Sequence, residues 1–151
     1  METTADRTFR CVVIAPAGRL LDCKADSVVF PAHDGQVGVL YNHMPMFCEL
    51  GLGVMEVKCP QIDEKQQEDL SAGQAEEKIH LLIDGGYVLI SSNLLTVIAS
   101  DAICGRGLEK EKIDQMLEKS RRKLAGGTFT SEQRQHELKR NALLLRLLAT
   151  I

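Results

Sequence analysis

The sequence predicts a β-sandwich followed by an antiparallel two-helix hairpin, and three observations carry that expectation. Short runs rich in Val, Ile and Leu, punctuated by Gly, Pro, Asn and Asp, fill the first two thirds of the chain, as short strands joined by turns do. Composition then switches near Gly105-Arg106-Gly107 to Glu, Lys, Gln, Arg, Leu and Ala with no proline, the usage of helices. Beyond that point apolar residues recur at helical rather than strand spacing. The expected units are residues 1–107 for the sandwich, with an acidic hairpin insertion at 60–77, and 108–151 for the hairpin.

In chain order, strands are expected over residues 9–14, 27–30, 37–40, 54–57, 79–83, 87–90 and 94–99. Asp34-Gly35 and Ser92-Asn93 sit where tight hairpin turns belong, and Gly85-Gly86 reads as permissive backbone between two strands. Residues 60–77 hold Asp63, Glu64, Glu68, Asp69, Glu76 and Glu77 against Lys65 alone and almost nothing apolar, so they read as a solvated loop; an acidic docking loop is the alternative. The first helix is expected over 109–125, with Ile113, Met116, Leu117 and Leu124 on one face, and Gly126-Gly127 ends it. Thr130 or Ser131 can cap a second helix running to the chain end, with Leu138, Ala142, Leu145 and Ala149 recurring at helical spacing.

Composition excludes several functions. The chain has 151 residues, 44% of them hydrophobic, enough for a core without disulfide staples. Trp is absent and aromatics make up only 4%, which argues against a platform for stacking sugars or bases. A net charge of -3 argues against a protein built to hold phosphate backbones. No window approaches the roughly 18 apolar residues of a membrane span, and the first ten residues lack the apolar stretch of a signal peptide. A cytosolic chain, or one reaching a membrane only through partners, is expected.

No spacing supports catalysis or metal binding. Cys11, Cys23, Cys48, Cys59 and Cys104 form no CxxC and read as reduced, mostly buried thiols. The four histidines are scattered, and no P-loop, GxGxxG, GxSxG or HExxH is present. Asp84-Gly85-Gly86-Tyr87 lacks the Lys and Ser/Thr that would meet a nucleotide, so a turn is the better account. Asp22, Asp26 and Asp34, near Cys23 and His33, read as strand-end residues. No enzyme and no cofactor are expected.

More specific is the string Gly35-Gln36-Val37-Gly38-Val39-Leu40-Tyr41-Asn42-His43-Met44-Pro45-Met46, where two glycines three apart precede a restricted His-Met-Pro loop. With the opening strand Phe9-Arg10-Cys11-Val12-Val13-Ile14, the segment Val28-Val29-Phe30-Pro31-Ala32, Gly85-Gly86-Tyr87-Val88, Leu95-Thr96-Val97-Ile98-Ala99 and the two-helix tail, it resembles the epsilon subunit of F-type ATP synthase. The resemblance implies a noncatalytic central-stalk subunit of the rotor. It would sit on the cytoplasmic face of the bacterial inner membrane, peripherally and only through the complex. Implied partners are the gamma subunit, the c-ring and the alpha/beta catalytic head. The loop holding Gln36, His43, Met44 and Pro45 would meet gamma and the c-ring. The helices would act as a movable brake on ATP hydrolysis. A free-standing β-sandwich interaction module is the alternative.

The chain departs from the family in three places. Tyr41-Asn42 replace the usual Pro or Gly before the histidine, and residues 60–77 lengthen a hairpin that is short in familiar members. Some members bind regulatory ATP through Ile/Leu-Asp-x-x-Arg-Ala. Here Ile113 and Asp114 begin that pattern, but Leu117-Glu118 stand where Arg-Ala should, removing the charge that would meet phosphate. Charge is also divided unevenly: residues 1–108 hold 8 basic and 15 acidic groups, whereas 109–151 hold 10 basic and 6 acidic. A tail of net +4 would be drawn to an acidic surface, and Arg121, Arg122, Lys123, Arg134, Lys139 and Arg140 are the expected contacts with the catalytic beta subunit.

Overall fold

The computed structural model describes residues 7–60, 77–105 and 108–150. Eight strands precede two helices: β1 (Phe9–Ala15), β2 (Gly18–Ala25), β3 (Ser27–Ala32), β4 (Gly35–Leu40), β5 (Met46–Cys59), β6 (Glu77–Ser91), β7 (Leu94–Ala99), β8 (Ala102–Cys104), α1 (Lys110–Ala125) and α2 (Ser131–Thr150). The strands form one continuous sheet in the order β2-β1-β7-β6-β5-β3-β4, with β8 on β6. Every pairing is antiparallel except the parallel one between β1 and β7. The expected sandwich plus helical hairpin is present. Of the expected acidic insertion at 60–77, residues 61–76 lie outside the described residues, while Glu77, its last residue, opens β6 and pairs with Cys59.

The sheet becomes a sandwich because its two longest strands bend together. β5 and β6 pair from Met46↔Ile90 to Cys59↔Glu77, and only Gly51 and Gly85 drop out of the ladder. Below that break the core-facing residues are Met55, Val57, Ile79, Leu81 and Ile83; above it they are Leu50, Val88 and Ile90. The inward parity therefore changes on both strands at once, and the ribbon turns so that both halves face one core. Phe9, Cys11, Val13, Val28, Phe30, Val39, Leu95 and Val97 complete that core from the other strands. The sequence reading of Gly85-Gly86 as a turn between two strands is thus corrected. These glycines lie inside one strand and, with φ of +73° and +121°, supply the bend. The expected strand at 54–57 is likewise part of a much longer β5.

Turn chemistry fixes the rest. Ser92 and Asn93 both take positive φ, +50° and +57°, as a two-residue type I′ hairpin between β6 and β7 requires. The β3–β4 turn falls on His33-Asp34, one residue before the expected pair, and Gly35 already opens β4. β2, absent from the expected strands, is an edge strand whose Asp22 receives Arg10 Nε at 2.9 Å and Arg10 Nη2 at 2.7 Å. That hydrogen bond, with the guanidinium charge, holds the Asp22 carboxyl below its usual range.

The helices follow their capping signals. Gly126 closes α1, and Gly127 at φ +73° turns the chain away. Thr130 Oγ1 accepts from the Gln133 N–H at 3.3 Å while Gln133 Oε1 accepts from the Thr130 N–H at 3.2 Å, a reciprocal capping box at the start of α2. Thr130→Ala is expected to cost about 1 kcal/mol, read as lower helicity and faster amide exchange in the first turn of α2.

Ile113, Leu117 and Ser120 form the buried face of α1, and Leu144 and Leu147 the buried positions of α2. Ile113, Leu117, Leu144 and Leu147 enclose Leu82, which projects from the outer face of β6, in a small second core. Leu138 and Leu145, from the helical repeat noted in the sequence, instead point to solvent. The apolar run at 142–148 covers more of the helix circumference than one contact can bury.

Candidate functional site

Two outer faces of the bent β5–β6 ribbon define where this chain can meet others. The half below the bend is covered by the protein's own helices. The half above it is bare: Phe47 of β5, Tyr87 and Leu89 of β6 and Ile98 of β7 are 66%, 51%, 50% and 57% exposed. They lie side by side in register, Phe47 opposite Leu89 and Tyr87 opposite Ile98. The rings of Phe47 and Tyr87 stack with centroids 5.5 Å apart and planes 11° from parallel. Exposed Glu49, opposite Tyr87, borders this apolar cluster, and an exposed apolar cluster of this kind marks an interaction surface.

The loop at residues 41–45 stands at the rim of the same face. Asn42, at φ +61°, donates its backbone N–H to Asn93 Oδ1 at 2.8 Å, and Asn93 Nδ2 donates to Asn42 Oδ1 at 3.1 Å, tying the loop to the β6–β7 turn. Asn tolerates this left-handed backbone, which gives Tyr41-Asn42 a physical role where the family has Pro or Gly. His43 Nδ1 lies 2.8 Å from the Met44 carbonyl, and Met44 itself is 72% exposed. His43, Met44 and Pro45 thus continue the apolar face at its edge. Gln36 does not join them: it pairs with Pro31 beside the opposite end of β4, roughly 14 Å away along an extended strand. There it lines a cleft of about 650 Å³ with Lys139, Leu143 and Arg146 of α2.

The six basic residues proposed for a partner are not one patch in this conformation. Arg140 binds Asp101, and His136 Nε2 lies 2.9 Å from an oxygen of Asp84, so the middle of α2 is latched to the sandwich. Arg134 donates to the Leu124 carbonyl at 3.5 Å and Arg122 to Glu118 at 3.4 Å. Arg121 and Lys123 face solvent, as does Lys139 at the cleft. Asp114 is exposed, while Ile113 and Leu117 are core residues of the helix–sheet contact. The position that carries arginine in ATP-binding members is thus committed to packing. Among the described residues, no group of His, Cys, Asp or Glu is arranged to hold a metal ion, and no helix is long and apolar enough to cross a membrane.

Residues 8–105 match the model of the ATP synthase delta/epsilon chain beta-sandwich domain. The chain belongs to that family. An ATP synthase epsilon chain from Nostoc punctiforme is 30% identical over 134 residues, spanning 89% of this chain and 87% of the relative. The fold is shared with a chain of the Euglena gracilis mitochondrial ATP synthase solved with its F1 and c-ring, at TM-score 0.59 and 17% identity, over 95% of this chain and 81% of that one. It is also shared with a chain of the Tetrahymena thermophila central stalk and c-ring, at TM-score 0.53 and 12% identity, over 94% and 96%. The chain is therefore an epsilon-type ATP synthase subunit. The motif loop at 41–45 was legible from the sequence. The bare face was not singled out, although β6 and β7 carry its signal. Tyr87-Val88-Leu89-Ile90 and Leu94-Leu95-Thr96-Val97-Ile98 lack the polar alternation that a solvated sheet face requires.

Proposed function

We propose that this chain is a noncatalytic central-stalk subunit that couples gamma to the c-ring and restrains ATP hydrolysis through its helical hairpin. The observation that carries the reading is the bare face of Phe47, Tyr87, Leu89 and Ile98, rimmed by His43, Met44 and Pro45. Burying it on a partner would supply the adhesion a torque-bearing joint needs, with gamma against the face and c-ring loops against the rim. Its place would be peripheral, on the cytoplasmic face of the bacterial inner membrane and through the complex alone. The alpha/beta head would be met by the tail.

For the brake, support comes from how the hairpin is held. One small apolar core and the latch of Asp84, Asp101, His136 and Arg140 attach it to the sandwich, while exposed Leu138 and Leu145 remain for a second surface. Release would free Arg140 to join Arg121, Arg122, Lys123, Arg134 and Lys139 against an acidic partner. Nucleotide has no part in this reading, since Leu117 occupies the arginine position.

The test removes residues 108–151 and assays ATP hydrolysis by the purified, fully assembled complex. Hydrolysis is expected to rise by severalfold. Unchanged activity with assembly intact would remove the brake and leave the stalk role standing.

A further inference from the structure

Three of the five cysteines converge at one corner of the sandwich, which their spacing in the sequence does not suggest. Cys11 of β1 is directly opposite Cys23 of β2. Cys23 Sγ is also 3.4 Å from Cys59 Sγ at the end of β5, 36 residues away. The approach is built by the corner between β2 and β3: the Asp26 N–H donates to the Lys58 carbonyl at 2.8 Å, and Ser27 pairs with Lys58. These bonds hold edge strand β2 against β5, a strand it does not pair with in the sheet.

We infer that Cys23 and Cys59 are a modification site that closes to a disulfide by exchange with a low-molecular-weight disulfide. A bond of about 2.05 Å needs the sulfurs to close by roughly 1.4 Å, within reach of side-chain rotation. Cys23 is half-buried and offers the entry, whereas Cys11 and Cys59 are buried. Cys23, as thiolate, attacks one sulfur of the small disulfide; one small thiolate leaves, takes up a proton, and a mixed disulfide remains on Cys23. Cys59, as thiolate, then attacks Cys23 Sγ, forming the internal bond and releasing the second small thiol. The protein dithiol is oxidised and the small disulfide reduced to two thiols.

Burial raises the Cys11 thiol to about 12 and also raises Cys23, with the Cys59 hydrogen bond adding to the Cys23 shift. Scarce thiolate makes the reaction slow. It also leaves reduced Cys23 without the thiolate stabilisation that makes a disulfide easily reduced, so the bond persists once formed. The product ties the free edge of the sandwich across its layers and closes a long loop of the unfolded chain.

The experiment incubates the full chain with oxidised glutathione, then counts maleimide-reactive thiols after denaturation and maps peptides by mass spectrometry. Expected are the loss of two thiols, a product lighter by two hydrogen atoms, a Cys23–Cys59 linked peptide and a rise in Tm on the order of 10 °C that dithiothreitol reverses. Cys59→Ser should abolish the rise and Cys104→Ser should leave it. Five titratable thiols after prolonged oxidation, or products confined to glutathione adducts or a Cys11–Cys23 bond, would overturn the inference. The wild-type peptide map decides this even where a variant folds poorly.

Discussion

Gly86→Ala is expected to destabilise the protein by at least about 3 kcal/mol, more than any surface change. Gly86 holds φ at +121°, and an added Cβ would meet the Ile98 carbonyl oxygen at 2.1 Å and Ala99 Cα at 2.8 Å. Neither obstacle is a flexible side chain, because both belong to the backbone of β7 that pairs with Gly86. The methyl group can enter only if β6 and β7 separate at the bend on which both layers depend. Urea unfolding reads the loss directly. Gly18→Ala is the control: its φ of +130° is also unfavourable, but nothing lies within 4 Å of the new Cβ, so only the backbone penalty of about 1–2 kcal/mol applies.

Leu147→Ala is expected to undock the hairpin while leaving the sandwich folded. Leu147 is 1% exposed and shares its core with Leu82, Ile113, Leu117 and Leu144. Truncating a buried leucine costs about 2–5 kcal/mol, a large fraction of what so small a cluster can supply. Polar contacts to the sandwich cannot replace it, since half-exposed pairs such as His136–Asp84 and Arg140–Asp101 contribute about 1 kcal/mol or less each. Hydrogen exchange should show α1 and α2 amides opening about 30-fold or more faster, at 1.4 kcal/mol per tenfold, with β1 and β7 amides unchanged. Asp84→Asn should give a much smaller effect at the same amides.

The order of parts was legible because strand and helix impose different compositions, and the change at residues 105–107 is sharp. The Ser92-Asn93 turn and a cap at Thr130 or Ser131 were legible for the same reason: each uses a local chemistry that needs no distant partner, and the structure assigns the cap to Thr130. β2 escaped because Gly-Arg-Leu-Leu-Asp-Cys-Lys-Ala has no β-branched residue; it is a strand through pairing with β1 and the Arg10–Asp22 bridge. Gly85-Gly86 was misplaced because two glycines signal a turn and a strand bend alike, and only the register with β5 separates them. Along α2 the apolar run at 143–148 leaves periodicity without a preferred face, so the docking of Leu144 and Leu147 rather than Leu145 is decided by Leu82. The corner of Cys11, Cys23 and Cys59 depends on how β2 enters β3, which residue spacing does not record.

The central claim, that the bare sheet face seats this subunit on the rotor, is tested most directly by co-sedimentation of the full chain with purified gamma–c-ring assembly. The wild-type chain should bind, and Leu89→Glu and Ile98→Glu, exposed positions that leave the core intact, should each weaken binding by tenfold or more, about 1.4 kcal/mol. Unchanged binding by both folded variants, or no binding by the wild-type chain, would contradict it.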